Sequence, residues 1–262
     1  MIFAAAPNDT SNHAGVEIFE EIDSTHLEAR RRAEAGAFAP VWLLARRQSA
    51  GKGRRGRAWA SGEGALMASY IGPLSAPPAD VAMFGLAVGL AIAEALVAHG
   101  APQAETRLKW PNDVFVSDAK IAGILMDSGA TQVGERWLAL SFGVNLAAAP
   151  EGLDQPAVSL AQATGETPPA PETFLATIRT RLSYWDNIFA VEGFTPVRAS
   201  WLERAYGLGA VARVALPDGV LEGRFSGLSP RGELELETSA GHRAISAGDV
   251  AFAAAPLQSL SG

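Results

Sequence analysis

Twelve residues, Arg46 to Arg57, read RRQSAGKGRRGR and hold six of the chain's 21 basic residues, with no acid among them. Gly51, Gly53 and Gly56 separate the charges. Glycine lets a backbone approach a ligand closely, and arginine grips phosphate oxygens through a planar fork of donors. A solvated basic loop is the plain reading; a loop that closes over a phosphorylated small molecule is the sharper one. A second cluster lies downstream. Lys109-Trp110-Pro111-Asn112-Asp113 sets a cation and a carboxylate about a turn, and Lys120 opens Lys120-Ile121-Ala122-Gly123-Ile124-Leu125. If residues 114–116 and 121–126 form a hairpin, Lys109, Asp113 and Lys120 converge at one rim of a sheet. Exposed lysines beside a structural turn are the alternative.

Other motifs fail on context. Gly51 to Gly56 matches G-x-G-x-x-G after a strand, but Trp59 to Gly64 (WASGEG) is no helix start, which a dinucleotide site requires. Ser117-x-x-Lys120 falls in the expected hairpin turn rather than on a buried helix. Gly51-Lys52 is followed by glycine, so there is no Walker A element. The absence of cysteine excludes disulfides, thiolate metal sites and a cysteine nucleophile. His13, His26, His99 and His242 are scattered, and no metal site is expected from protein ligands alone.

The elements that must position these residues follow from the rest of the chain. At 262 residues it fits one large domain, or one domain plus a small one. A net charge of -7 argues against nucleic-acid binding through bulk charge, so the basic loop is a local device. MIFAAAP is too short for a signal-peptide core. Met83 to Ala98, interrupted by Gly85, Gly89 and Glu94, reads as a buried helix too short to span a bilayer. The expected location is cytoplasmic, with neither membrane nor nucleic acid as a partner. Residues 1–15 read as a frayed lead.

Alternation predicts a half-buried strand over Val16–Ile22, and Asp23-Ser24-Thr25 offers caps for a helix over His26–Ala35. Strands are expected at 41–45, 65–71, 107–110, 114–116, 121–127 and 137–144. Helices are expected at 81–99, 158–164, 172–191 and 196–204. From about Gly207 the text becomes short strands and tight turns, including Pro217-Asp218-Gly219 and the alternating Glu233 to Glu237. Residues 207–255 thus read as a small barrel of roughly five strands appended to an α+β domain.

Taken in order, these segments resemble the biotin–protein ligase family. Asp23-Ser24-Thr25-His26 is similar to its D-S-T-N element, and Gln48 to Arg57 to its Q-x-A-G-R-G-R-R-G-R loop. Lys109 to Asp113 with Lys120 to Leu125 resembles its K-W-P-N-D and K-[LI]-x-G-I-L pair, and Gly143-Val144-Asn145 its G-[IV]-N element. The likeness covers roughly residues 16–252. It implies a mixed β-sheet with packed helices of the class II synthetase-like type over residues 1–206, and an SH3-like barrel over 207–262.

The activity implied is ATP- and Mg²⁺-dependent conversion of biotin to biotinyl-5′-AMP, then transfer to a lysine of a biotin carboxyl carrier domain. Two anions must meet in the first step, so nearby cations are chemically required. The resemblance assigns biotin contacts to Ser24, Thr25, His26, Gln48, Gly51, Lys52, Gly53, Arg54, Lys120 and Gly123. It assigns nucleotide contacts to Arg54, Arg55, Arg57, Trp59, Lys109, Asn112, Lys120 and Asn145. Lys120, Arg54, Lys109 and Asp113 are the catalytic candidates.

Two departures stand out: Lys52 where the family usually has arginine, and His26 where it has asparagine. About 15 residues precede the first expected strand, which implies the monofunctional form without a DNA-binding domain. Monomers and homodimers both occur in the family. A lipoate or octanoate ligase shares the fold, but the loop lacks R-R-x-S-G-G-G. A non-catalytic carrier-binding protein would leave the recurring lysines unexplained.

Overall fold

The computed structural model describes residues 14–152, 155–216 and 219–252. Residues 1–13 of the expected lead, and Pro217 and Asp218 of one expected turn, lie outside them. The first sheet has seven strands: β1 (Gly15–Phe19), β2 (Val41–Ala45), β3 (Leu66–Pro73), β4 (Thr106–Lys109), β5 (Asp113–Val116), β6 (Ala119–Ala130) and β7 (Arg136–Val144). Their order is β1-β2-β3-β7-β6-β5-β4. Only β1 and β2 run parallel; every other neighbouring pair is antiparallel.

Five helices accompany this sheet: α1 (Thr25–Glu34), α2 (Pro78–Ala98), α3 (Leu160–Thr164), α4 (Pro171–Glu192) and α5 (Phe194–Glu203). Strand β7 shows how the chain places them. Side chains alternate faces along a strand. Leu138, Leu140, Phe142 and Val144 join the large core with α2 and α4, while Trp137 and Ala139 join a small cluster with Ala29 and Ala33 of α1. Ser141 and Gly143, next along that second face, lie beyond the α1 cluster and border a cavity.

Two expectations need correction. The first strand ends at Phe19, and its apolar Val16 and Ile18 are 39% and 46% exposed rather than half-buried. The cause is position: β1 is an edge strand, and α1 packs chiefly on β3 and β7. The apolar helix is also longer than expected. It starts at Pro78, a proline suited to a first helical turn, and Ala79–Ala98 is long and apolar enough to cross a membrane by length and composition. Here it is the central core helix, packed between the sheet and α4.

The tail forms a second sheet of five antiparallel strands: β8 (Val211–Leu216), β9 (Gly219–Leu228), β10 (Leu234–Thr238), β11 (Gly241–Ile245) and β12 (Asp249–Phe252), in the order β11-β10-β9-β8-β12. Among the described residues β11 and β12 are edges, with no ladder joining them. The Glu233–Glu237 alternation is realised: Leu234 and Leu236 are fully buried and Glu237 is exposed. The two sheets share one apolar core. Trp110 Nε1 donates to the Gly232 carbonyl at 3.0 Å, and Arg198 Nε to the Leu228 carbonyl at 2.5 Å.

Candidate active site

Helix α1 is ten residues long, too short to cover the whole face of the sheet on which it lies. Past its N-terminus a cavity of about 290 Å³ opens over β3, β7 and β6, small for a ligand pocket. Met67, Gly123, Leu125, Ser141 and Gly143 form its floor. Ser24, the N-cap of α1, brings Thr25 and His26 to its side. The Ser24 hydroxyl accepts from the Leu27 N–H at 3.4 Å.

One side of the cavity presents hydroxyls and an amide that are hydrogen-bonded to one another, with the His26–Asp127 pair behind them. Gln48 Oε1 accepts from the Thr25 N–H at 2.7 Å and from Thr25 Oγ1 at 3.0 Å. The buried Ser69 Oγ lies 2.8 Å from both Thr25 Oγ1 and Ser141 Oγ. His26 Nδ1 is 2.9 Å from Ser141 Oγ, and its Nε2 is 3.1 Å from Asp127 Oδ2. His26 holds the Asp127 carboxyl below the usual range, chiefly by this hydrogen bond. With Gln48 Oε1 engaged, the amide N–H groups of Gln48 remain to meet a ligand. Asp23 turns away: Arg31 grips it bidentately at 2.7 and 2.9 Å and holds its carboxyl down at about 2.

The other side is charged. The expected hairpin forms between β5 and β6, with Ser117 in a left-handed conformation at its turn. It sets Lys120 Nζ 2.7 Å from Asp113 Oδ1. Lys109, the register partner of Asp113, has its ammonium 5.2 Å from the centre of the Phe115 ring. Burial lowers the Lys109 ammonium from its ordinary range, against the opposing pull of Asp113. Arg54 donates to Asn112 Oδ1 at 3.2 Å, and Asn112 Nδ2 donates to the Ile124 carbonyl at 2.6 Å. Burial likewise lowers the Arg54 guanidinium, opposed by the Asp249 carboxylate.

The basic loop doubles back on itself, with a short 3₁₀ turn at Arg54–Gly56 and a bridge between Lys52 and Ala58. Trp59 then lies against the sheet where β6 and β7 present Gly123 opposite Gly143. A Cβ at Gly143 would stand 2.4 Å from the indole, and one at Gly123 3.0 Å. Bare backbone is what admits the ring. Its Nε1 is buried with no partner, and Lys120 Nζ lies 5.4 Å from the ring centre.

Most of the sequence-expected residues therefore meet at one cavity: Ser24, Thr25, His26 and Gln48 on the neutral side, Lys52, Gly53, Arg54, Arg57 and Trp59 from the loop, and Lys109, Asn112, Asp113, Lys120, Gly123 and Asn145 from the sheet. Asn145 is buried, and its Oδ1 has no partner. Two residues stand back. Gly51 packs under the loop, where a Cβ would meet the Trp59 carbonyl oxygen at 2.6 Å, and Arg55 reaches Asp249 at 3.0 Å.

Sequence reasoning missed four residues. Asp249 of β12 pairs with Arg55 and with Arg57, the latter at 3.1 Å, and nothing in the tail marks it. Ser69, Ser141 and Asp127 complete the neutral side; serines inside the apolar runs ALMASYI and WLALSFGV were the available signal.

Comparison with known proteins identifies the family. Residues 20–145 match the model of the biotin/lipoate A/B protein ligase family, and residues 213–253 that of the biotin protein ligase C-terminal domain. A biotin–[acetyl-CoA-carboxylase] ligase of Paracoccus denitrificans is 36% identical over 236 residues, covering 88% of this chain and 97% of that protein. Its counterpart in Mycobacterium tuberculosis is 31% identical, covering 90% of this chain and 88% of the relative. The solved structure of a biotin protein ligase from Aquifex aeolicus, in complex with biotin and ATP, superposes with a TM-score of 0.75 at 26% identity, over 91% of this chain and 98% of that one. With likeness of this depth over nearly the whole length of its relatives, the chain belongs to the biotin/lipoate A/B protein ligase family, among its biotin protein ligases.

Proposed function

We propose that this chain activates biotin with ATP and transfers it to a lysine of a carboxylase biotin carrier domain. The observation that carries the reading is the meeting of Lys109, Asp113, Lys120 and Arg54 with the Thr25–Gln48 pair at one cavity. In the first step a biotin carboxylate oxygen attacks the α-phosphorus of ATP and pyrophosphate leaves. In the second, a carrier lysine amine attacks the acyl carbon, AMP leaves and the nitrogen loses a proton.

The neutral side suits the ureido ring, which offers N–H donors and a carbonyl acceptor to the Thr25 and Ser24 hydroxyls and the Gln48 amide. Lys120 and Arg54 hold the carboxylate and α-phosphate together by offsetting their repulsion. Lys109 assists with the phosphates. The loop cation Arg57 closes over the polyphosphate while Lys52 borders the biotin side, and Trp59 and Asn145 take the adenine. Among the described residues no three His, Asp or Glu side chains gather as a metal cage. Mg²⁺ usually arrives with phosphates and needs only one or two carboxylates; Asp113 would be the carboxylate that holds it, and the ion would supply charge neutralisation on the phosphates.

We further read residues 207–262 as an SH3-like module that backs the loop through Asp249, residues 1–206 as the catalytic domain, and the cytoplasm as the site of action. The test is ATP–pyrophosphate exchange. It should depend on biotin, with lipoate inactive, and labelled biotin should pass to a carrier domain. Exchange supported by lipoate and not by biotin overturns the reading.

A further inference from the structure

We propose that His26, held by Asp127, is a positioning residue for the neutral side of the site: it sets the direction in which the Ser141, Ser69 and Thr25 hydroxyls donate, and through them it steadies Gln48 against the ligand. The inference rests on reading that side as the biotin subsite.

Six side chains form one unbroken row along the cavity wall. Asp127 Oδ2 lies 3.1 Å from His26 Nε2, His26 Nδ1 2.9 Å from Ser141 Oγ, Ser141 Oγ 2.8 Å from Ser69 Oγ, Ser69 Oγ 2.8 Å from Thr25 Oγ1, and Thr25 Oγ1 3.0 Å from Gln48 Oε1. Ser69, Thr25, His26 and Ser141 are all buried, so water cannot repair a mismatch cheaply. Each hydroxyl has one hydrogen to give.

An ionised Asp127 only accepts, which makes Nε2 the donor at that end of the ring. When Nδ1 also carries a hydrogen, it donates to Ser141, Ser141 to Ser69, Ser69 to Thr25 and Thr25 to Gln48 Oε1. Every contact is then satisfied in one direction. When Nδ1 is bare, three hydroxyl hydrogens must serve the four contacts from His26 to Gln48, so one contact goes without, and the gap can fall at any of them, the Thr25–Gln48 contact included. The hydrogen on Nδ1 thus decides whether the row has a single donor direction that ends on Gln48 Oε1, or several competing ones.

The charged groups around the ring are few. Asp127 comes from β6, and Arg30 of α1 lies 3.7 Å from the same carboxylate and 3.2 Å from Glu34. Strands β3 and β7 bring only the Ser69 and Ser141 hydroxyls to the row.

The test is biotin affinity by titration calorimetry without ATP, from pH 5.5 to 8, the range in which imidazoles change charge. The full chain should lose affinity by roughly tenfold as pH rises, the scale of one hydrogen bond to a charged group. His26→Asn should bind weakly and without a pH slope. Asp127→Asn should bind well without a slope, because its amide can donate to Nε2 and leave a neutral ring with its hydrogen on Nδ1. Asp127 is partly exposed, so this variant stays informative if His26→Asn does not fold. A flat profile in the parent chain, or a slope that survives in either variant, overturns the role of His26. Failure of the parent chain to bind biotin at any pH overturns the subsite reading itself and this inference with it.

Discussion

The wall built from Thr25, Gln48, Ser69 and Ser141 carries no charge, is largely buried, and has its oxygens tied to one another. The side built from the basic loop and the β5–β6 hairpin is charged and more open, and its cations lean on the carboxylates of Asp113 and Asp249. The difference follows from what each must recognise. A neutral heterocycle offers only hydrogen bonds, whose net worth is small unless the partners are fixed beforehand. A polyphosphate offers charge, which acts over longer distances and tolerates a loop that rearranges. A neutral subsite has to be rigid; an anion subsite only has to be cationic when the anion arrives.

Substitutions on the two sides should therefore fail differently. The largest effect is expected at Lys120. Lys120→Ala should fold normally and slow adenylation by about 100-fold or more, as for loss of a transition-state donor. Single-turnover pyrophosphate release checks this, and a near-normal rate would break the contrast. Thr25→Val should act chiefly on binding. It removes the donor to Gln48 Oε1 and the acceptor for Ser69, so biotin affinity should fall by about tenfold while the maximal rate changes less. Raising salt should weaken ATP use far more than biotin binding, because exposed charges are screened and buried hydrogen bonds are not.

Asp249→Ala should act on the loop alone. Exposed ion pairs are worth about 0.2–1 kcal/mol each, so cleavage after Arg54 to Arg57 by trypsin should quicken by roughly a few-fold and bound adenylate should restore protection. Unchanged cleavage would mean that β12 does not hold the loop. The smallest effect concerns acid. The folded-state pKa of Asp23 is lowered from 3.8 to about 2 by Arg31, so its contribution is fully present above 3.8 and is lost as pH falls toward 2. Arg31→Ala should move the acid-unfolding midpoint slightly upward; solvent screening keeps the shift small.

Local pattern carried much of this into the sequence. The loop, the KWPND turn and the hairpin were legible because glycine, proline and charge must sit at fixed offsets for such turns to form. The tail strands were legible from Leu234 and Leu236 alternating with glutamates. What stayed hidden depends on distant pairings. Ser69 and Ser141 become partners only because β3 and β7, 72 residues apart in sequence at that point, are neighbours in register. Asp249 reaches Arg55 across 194 residues, and a lone aspartate in a tail carries no mark of that. The exposure of Val16 and Ile18 was misjudged for the same reason, since alternation says nothing about whether a helix will cover the strand.

The alternation of β6 and β7 has a consequence for how freely this chain can drift. Adjacent letters there have separate fates. Leu138 and Leu140 answer chiefly to volume, and apolar exchanges such as Leu140→Met should be absorbed at a cost below about 1.5 kcal/mol. Gly143, on the other face of the same strand, tolerates no side chain while Trp59 stays where it is, and a side chain at Gly123 would need the indole to give by a few tenths of an ångström. A scan of apolar substitutions along Leu138–Val144 should therefore show tolerance rising and falling with a period of two residues. The peaks fall on the face where volume is the constraint, and the troughs on the face where α1 and Trp59 sit directly against the strand.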